Sequence, residues 1–211
     1  MKRFWLRVEF LFIFVAIPLL INFDAHTFPP FPLLGLVLVY VLALNLGSKK
    51  LQKRSIFKFH HHHRNLLPDI YRRVFISFTV MIIFIIFYDH YLIFNMMIND
   101  PWSWLILLFM YPIFSVIPQE IIFRSFFFAR YKKIFAKYLL VFMSAASFSF
   151  THIIFHNPIA IVFTFIGGLY FAISYHQTKS LLLVVIEHSI YGIFLYTIGF
   201  GEFFDFDEMN R

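Results

Sequence analysis

Six residues stand where an apolar chain has little reason to place them: Gln119, Glu120 and Arg124 in one long apolar run, His152 in a second, and Glu187 with His188 in a third. At membrane depth an ionisable side chain costs about 2.5–3.5 kcal/mol on insertion scales, so each calls for a partner or a task. Glu120 and Arg124 are four residues apart, which stacks them on one helix face where opposite charges pair. A carboxylate, two imidazoles and a charge-paired arginine can activate water against a carbonyl. A base takes the proton from water, an imidazole N–H steadies the developing oxyanion, and both effects strengthen in a poorly hydrated cavity. Two histidines and a glutamate are also the minimal three-ligand set of catalytic zinc, and the same groups suit a proton relay in a transporter. Residue types alone leave these three chemistries open.

The elements that must hold these residues follow from composition. The chain has 211 residues, 61% apolar and 14% charged, with 33 phenylalanines, which excludes a water-soluble globule and a disordered chain. Apolar runs separated by turn chemistry place spans at 5–23, 31–47, 74–94, 102–130, 138–156, 158–176 and 180–200. The expectation is an all-α, polytopic membrane bundle of about seven transmembrane helices forming one integral domain over 1–211, because alternating ten-residue strands are absent and backbone in lipid must satisfy itself. Every Lys and Arg except Arg211 falls on one side of this arrangement, whereas the other side holds Asp24, Asp100, Glu202, Asp205, Asp207 and Glu208. The positive-inside rule then puts the N-terminus in the cytoplasm and the C-terminus outside. The Lys2-Arg3 start is not a signal peptide, since no small-x-small cleavage site follows. The net charge of +7 marks topology and attraction to anionic membrane lipids, so no nucleic-acid partner is implied. Absence of cysteine excludes disulfides, thiolate nucleophiles and thiolate metal sites. His60 to His63 read as a solvated stretch of a basic loop, and Arg7 and Glu9 as residues that snorkel from the first span.

Local sequence shapes the polar spans. Pro112 and Pro118 each free a carbonyl one turn back, which predicts a kinked or widened helix above Glu120. Either that helix runs through Pro118 to about Arg130, placing Glu120 ~15 Å above the inner surface at 1.5 Å per residue, or it stops at Pro118 and Glu120 opens an interfacial helix; the buried placement is expected. Ser144, Ala145, Ala146, Ser147 and Ser149 precede His152 and permit close helix approach, as does Gly167-Gly168 in the sixth span.

The order Q-E-I-I-F-R (119–124), F-S-F-T-H (148–152), H-S-I-Y-G (188–192) in successive polar spans resembles the type II CAAX prenyl protease and bacteriocin-processing (CPBP, or Abi) family of intramembrane proteases, whose pattern is E-E-x-x-x-R, F-x-x-x-H and H-x-x-x-N. The resemblance covers about 102–200. It implies a membrane endopeptidase acting on a membrane-associated peptide or protein, with catalytic residues at Gln119, Glu120, Arg124, His152 and His188. By position the family's water would be held at Gln119 and His152, and its oxyanion site at His188 and Gly192. Two departures matter. Gln119 is an amide and no base, and Gly192 lacks a donor. The expected roles are therefore Glu120 as substitute base, His152 orienting water, His188 polarising the carbonyl and Arg124 fixing the carboxylate, in the cytoplasmic half of the bilayer. No cofactor is assigned, zinc included. The alternative is a catalytically impaired relative that serves as a membrane binding, regulatory or bacteriocin-immunity protein. A bacterial cytoplasmic membrane is the expected location.

Overall fold

In the computed structural model the described residues are 2–23, 30–46 and 66–204, so the His60 to His63 run and the acidic residues 205–208 lie outside them. Seven apolar helices follow in order, with no strand among the described residues. They are α1 (Arg3–Phe23), α2 (Pro30–Leu46), α3 (Leu67–Asp89), α4 (Pro101–Tyr131), α5 (Lys137–Phe150, extended by a 3-10 turn Thr151–Phe155), α6 (Pro158–Thr178) and α7 (Leu181–Thr197). Helices α1, α4 and α6, together with α3 and α5 taken with their extensions, are long and apolar enough to cross a membrane. At 17 residues each, α2 and α7 span ~26 Å, slightly less than a hydrocarbon core. The chain is a polytopic helical membrane protein.

Helix starts obey local chemistry. Asp100 accepts from the Ser103 N–H at 3.1 Å ahead of Pro101, Asn157 accepts from the Ile159 N–H ahead of Pro158, and Ser180 accepts from the Leu183 N–H. Proline in the first turn sacrifices no hydrogen bond there. Inside α4 the two prolines flank one wide π-turn, Tyr111–Val116, which contains Pro112 and lies one turn before Pro118, as their missing N–H groups demand; a second, Ile121–Phe126, contains no proline, and the helix continues through Pro118 to Tyr131. Glu120 therefore lies within a membrane-depth helix, and the shorter-helix option fails.

Helices α5 and α6 pack closely where their small residues meet. A Cβ added at Gly168 would lie 3.2 Å from the Ala145 Cα and 3.1 Å from the Phe148 ring, so any larger residue would push the two helices apart by a few tenths of an ångström. Ser144 Oγ donates to the Phe123 carbonyl at 2.7 Å, tying α5 to the second wide turn of α4. On the other side of α4, Phe10 and Phe14 of α1 pack edge-on against Phe127 and Tyr131. Glu9 does not snorkel. Its carboxylate accepts from Arg130 Nε (2.9 Å), the Tyr131 hydroxyl (3.0 Å) and the Tyr40 hydroxyl (3.0 Å), fastening α1 and α2 to the end of α4. Beyond α7 a 3-10 turn, Phe200–Phe204, packs on Met81 and Ile85 of α3.

Candidate functional site

Glu120 and Arg124 are both fully buried, with Arg124 Nε 3.2 Å from Glu120 Oε2. The guanidinium also lies over the Phe148 and Phe171 rings, 4.8 and 5.6 Å from their centroids. Glu120 Oε1 is 2.8 Å from His188 Nδ1. A carboxylate accepts, so Nδ1 carries the proton and the neutral ring offers Nε2 as an acceptor. Phe171 stacks on this imidazole with centroids 4.4 Å apart, leaving it little rotational freedom. The Tyr111 hydroxyl, 3.3 Å from His188 Nε2, donates to it.

His152 belongs to the 3-10 turn that ends α5. The tighter winding brings Nδ1 to 2.7 Å from the Phe148 carbonyl, to which its N–H donates, leaving Nε2 as the basic nitrogen. Gln119 is half-buried and donates through Nε2 to Ser115 Oγ at 3.0 Å. A cavity of about 310 Å³ is lined by Gln119, Tyr111, His152, His188 and Gly192, and otherwise by apolar side chains. A second, of about 210 Å³, lies towards α1 and shares Ser115, Gln119, His152, Phe155, Tyr196 and Phe204 with the first. The shared wall thus holds both the imidazole base and the amide.

The residues singled out from sequence come together in two layers. Gln119, His152 and His188 face one cavity; Glu120 and Arg124 lie behind His188, and Glu120 lines neither cavity. This geometry does not favour Glu120 as the substitute base, because its oxygens face His188 and Arg124 and the residue lines neither cavity. The Nδ1–H of His188 is likewise taken up by Glu120. Glu187 is buried on the far side of α7, 3.6 Å from Arg73 Nη2 of α3, and faces neither cavity. The cavity runs along the bundle from Ile76, Ser77 and Tyr170, in the halves of α3 and α6 beside their basic ends, to Phe204 beyond the other end of α7. No three His, Asp or Glu side chains among the described residues converge as a metal-ligand set, so the donor arrangement does not fit catalytic zinc.

Tyr111 was not singled out from the sequence. It occupies the space opened by Gly192: a Cβ at that position would collide with the Tyr111 ring and hydroxyl. Where the family pattern has asparagine one turn after the second histidine, this chain has a glycine and a phenol that fills its place from α4. Tyr111 stands eight residues before Gln119, two turns along the same face, which was the available signal.

Fold and site thus define a polytopic membrane protein with a largely apolar, histidine-bearing pocket among its helices. Residues 101–194, somewhat less than half of the chain, match the family model described as type II CAAX prenyl endopeptidase Rce1-like, which supports the resemblance of that segment to the CPBP family. No curated protein and no solved structure matches it.

Proposed function

We propose that the chain is an intramembrane endopeptidase that hydrolyses a peptide bond of a membrane-associated protein or peptide in the cavity shared by Gln119, His152 and His188. The observation that carries the reading is His152: its Nδ1 is tied to a backbone carbonyl while Nε2 is left as a base on the wall of a largely apolar chamber. Water held between His152 Nε2 and the Gln119 amide loses its proton to the imidazole as it attacks the carbonyl carbon. The tetrahedral oxyanion takes hydrogen bonds from the Tyr111 hydroxyl and the Gln119 Nε2–H not used by Ser115. The His152 imidazolium then returns the proton to the departing amine, closing the cycle.

His188 does not touch the proton in flight. Held by Glu120 and stacked on Phe171, it accepts from Tyr111 in the resting site and so aims the phenol. Arg124 pairs with Glu120, and Glu120 keeps the His188 tautomer fixed. An amide at position 119 is compatible with catalysis because His152 supplies the base.

The test is turnover by the full chain reconstituted in lipid vesicles with a membrane-peptide library. His152→Ala should lower kcat by about 100- to 10,000-fold, the usual range for a positioned acid–base group. Cleavage by His152→Ala at the wild-type rate refutes the proposal.

A further inference from the structure

Helix α7 carries two ionisable residues in succession, and each is met by a different helix. His188 Nδ1 donates to Glu120 of α4 at 2.8 Å, and Glu187 lies 3.6 Å from Arg73 Nη2 of α3. Neighbouring positions of a helix point about 100° apart, so the two contacts hold α7 from two directions. Arg73 is itself fixed. Its Nη2 donates to Ser174 Oγ at 2.8 Å, its Nη1 donates to the Tyr170 carbonyl at 3.4 Å, and its guanidinium lies 5.4 Å from the Tyr170 ring centroid, all on α6. The pair therefore ties α3, α6 and α7 together at one level.

The Glu187 side chain is only 1% exposed, and neither of its oxygens has a hydrogen-bond partner among the described residues. A buried ion pair without hydrogen bonds repays little of the desolvation of its charges, and apolar residues of similar size would be at least as stable in its place. Stability does not account for the pair, and orientation does. In a bilayer the apolar faces of α7 gain little by exchanging lipid for protein, so directional polar contacts carry much of the information on which way the helix faces. The hydrogen bonds of His188 with Glu120 and Tyr111, and that from Trp104 Nε1 to Thr197 Oγ1 (3.0 Å), bind α7 to α4. Arg73 holds it from the side of α3 and α6. A rotation of α7 by about 20° would carry a side-chain atom ~5 Å from the helix axis through ~2 Å, enough to part His188 from Glu120 and from Tyr111.

We propose that Glu187 is a positioning residue: drawn to Arg73, it sets the facing of α7 that presents His188 to Glu120 on one side and to Tyr111 on the other. The use of that facing rests on the peptidase reading, in which His188 aims the Tyr111 hydroxyl. The facing itself does not depend on turnover.

The test removes both charges at once, so that neither is stranded in the bundle. Arg73→Met with Glu187→Leu, in the full chain in lipid, is compared with wild type by thermal unfolding, by NMR of isotope-labelled histidine and by peptide turnover. The proton resonance of His188 Nδ1–H, moved downfield by its carboxylate partner and assigned by its loss in His188→Asn, reports the contact with Glu120. The expected result is a Tm at or above that of wild type, a resonance moved upfield or broadened by exchange, and kcat lower by about 10- to 100-fold with KM little changed, the loss that an ångström of misplacement brings. Arg73→Lys, which keeps the charge, should retain the resonance and most of kcat. An unmoved resonance in the double variant overturns the proposal. So does wild-type kcat where the resonance has moved, and so does a loss of kcat that the folded fraction fully accounts for, since that would make the pair a matter of stability alone. If the wild type cleaves no peptide, the peptidase reading fails, while the resonance still decides whether Glu187 orients His188.

Discussion

Removing one oxygen atom should separate the role of Tyr111 from its packing. Tyr111→Phe retains the ring, its edge-on contact with Tyr196 at 5.6 Å and the filling of the space beside Gly192. It deletes the hydroxyl that donates to His188 Nε2 and, in the proposed reaction, to the oxyanion. Loss of one such donor costs about 100- to 1,000-fold in kcat, or about 2.7–4 kcal/mol, with little change in KM because the interaction strengthens only as charge develops. The resting hydrogen bond to His188 is worth about 1 kcal/mol of stability, so the folded fraction stays close to wild type. Single-turnover cleavage in lipid vesicles, with thermal unfolding measured on the same preparation, reads both quantities. A companion pair checks the geometry. Gly192→Asn alone drives its Cβ into Tyr111 and should disrupt the site, whereas Gly192→Asn with Tyr111→Ala makes room for the amide and restores part of the activity. Wild-type kcat in Tyr111→Phe, or additive losses in the double variant, would refute the assignment of the phenol.

Three further outcomes are expected. Glu120→Gln leaves Arg124 as a buried, uncompensated cation and should cost about 3–5 kcal/mol in detergent unfolding; combining it with Arg124→Gln should recover part of that loss, and full additivity would show that the two do not act as a pair. Gln119→Glu adds a carboxylate on the cavity wall beside His152, so peptidase activity should persist or rise, measured as kcat/KM; abolished activity with an intact fold would show that the amide is indispensable. Gly168→Leu forces a side chain against the Ala145 backbone and should destabilise by about 1–3 kcal/mol, read as a fall in Tm, with an unchanged Tm contradicting the close α5–α6 approach.

The helices were legible because their signals are local. Apolar runs, the Asn99-Asp100-Pro101 and His156-Asn157-Pro158 breaks and the charge asymmetry placed α4, α5 and α6 within two residues of their observed ends. Pro112 and Pro118 announced the wide turn above Glu120 but not the one that follows it, and Glu120 with Arg124 at i,i+4 announced their pairing. What sequence spacing does not carry is which side of a helix meets a cavity. Glu120 and Gln119 are adjacent in the chain, and only the packing of α7 against α4 decides that the acid is sealed behind His188 while the amide faces the cavity. Glu9 looked interfacial because its partners, Arg130 and Tyr131, are more than 120 residues away. Tyr111 was hidden for the same reason: its value comes from the void at Gly192 in another helix.

Each wide turn in α4 absorbs one more residue than a regular turn would, so the helix holds two surplus positions within its length. Removing a lipid-facing residue such as Phe114 would let the upper turn relax to regular winding, and the stretches of helix on either side would keep their facing. The same deletion in a regular turn would swing one side by about 100° relative to the other. The wide turns therefore make α4 tolerant of a change in length at the two places beside the pocket, and intolerant of it elsewhere.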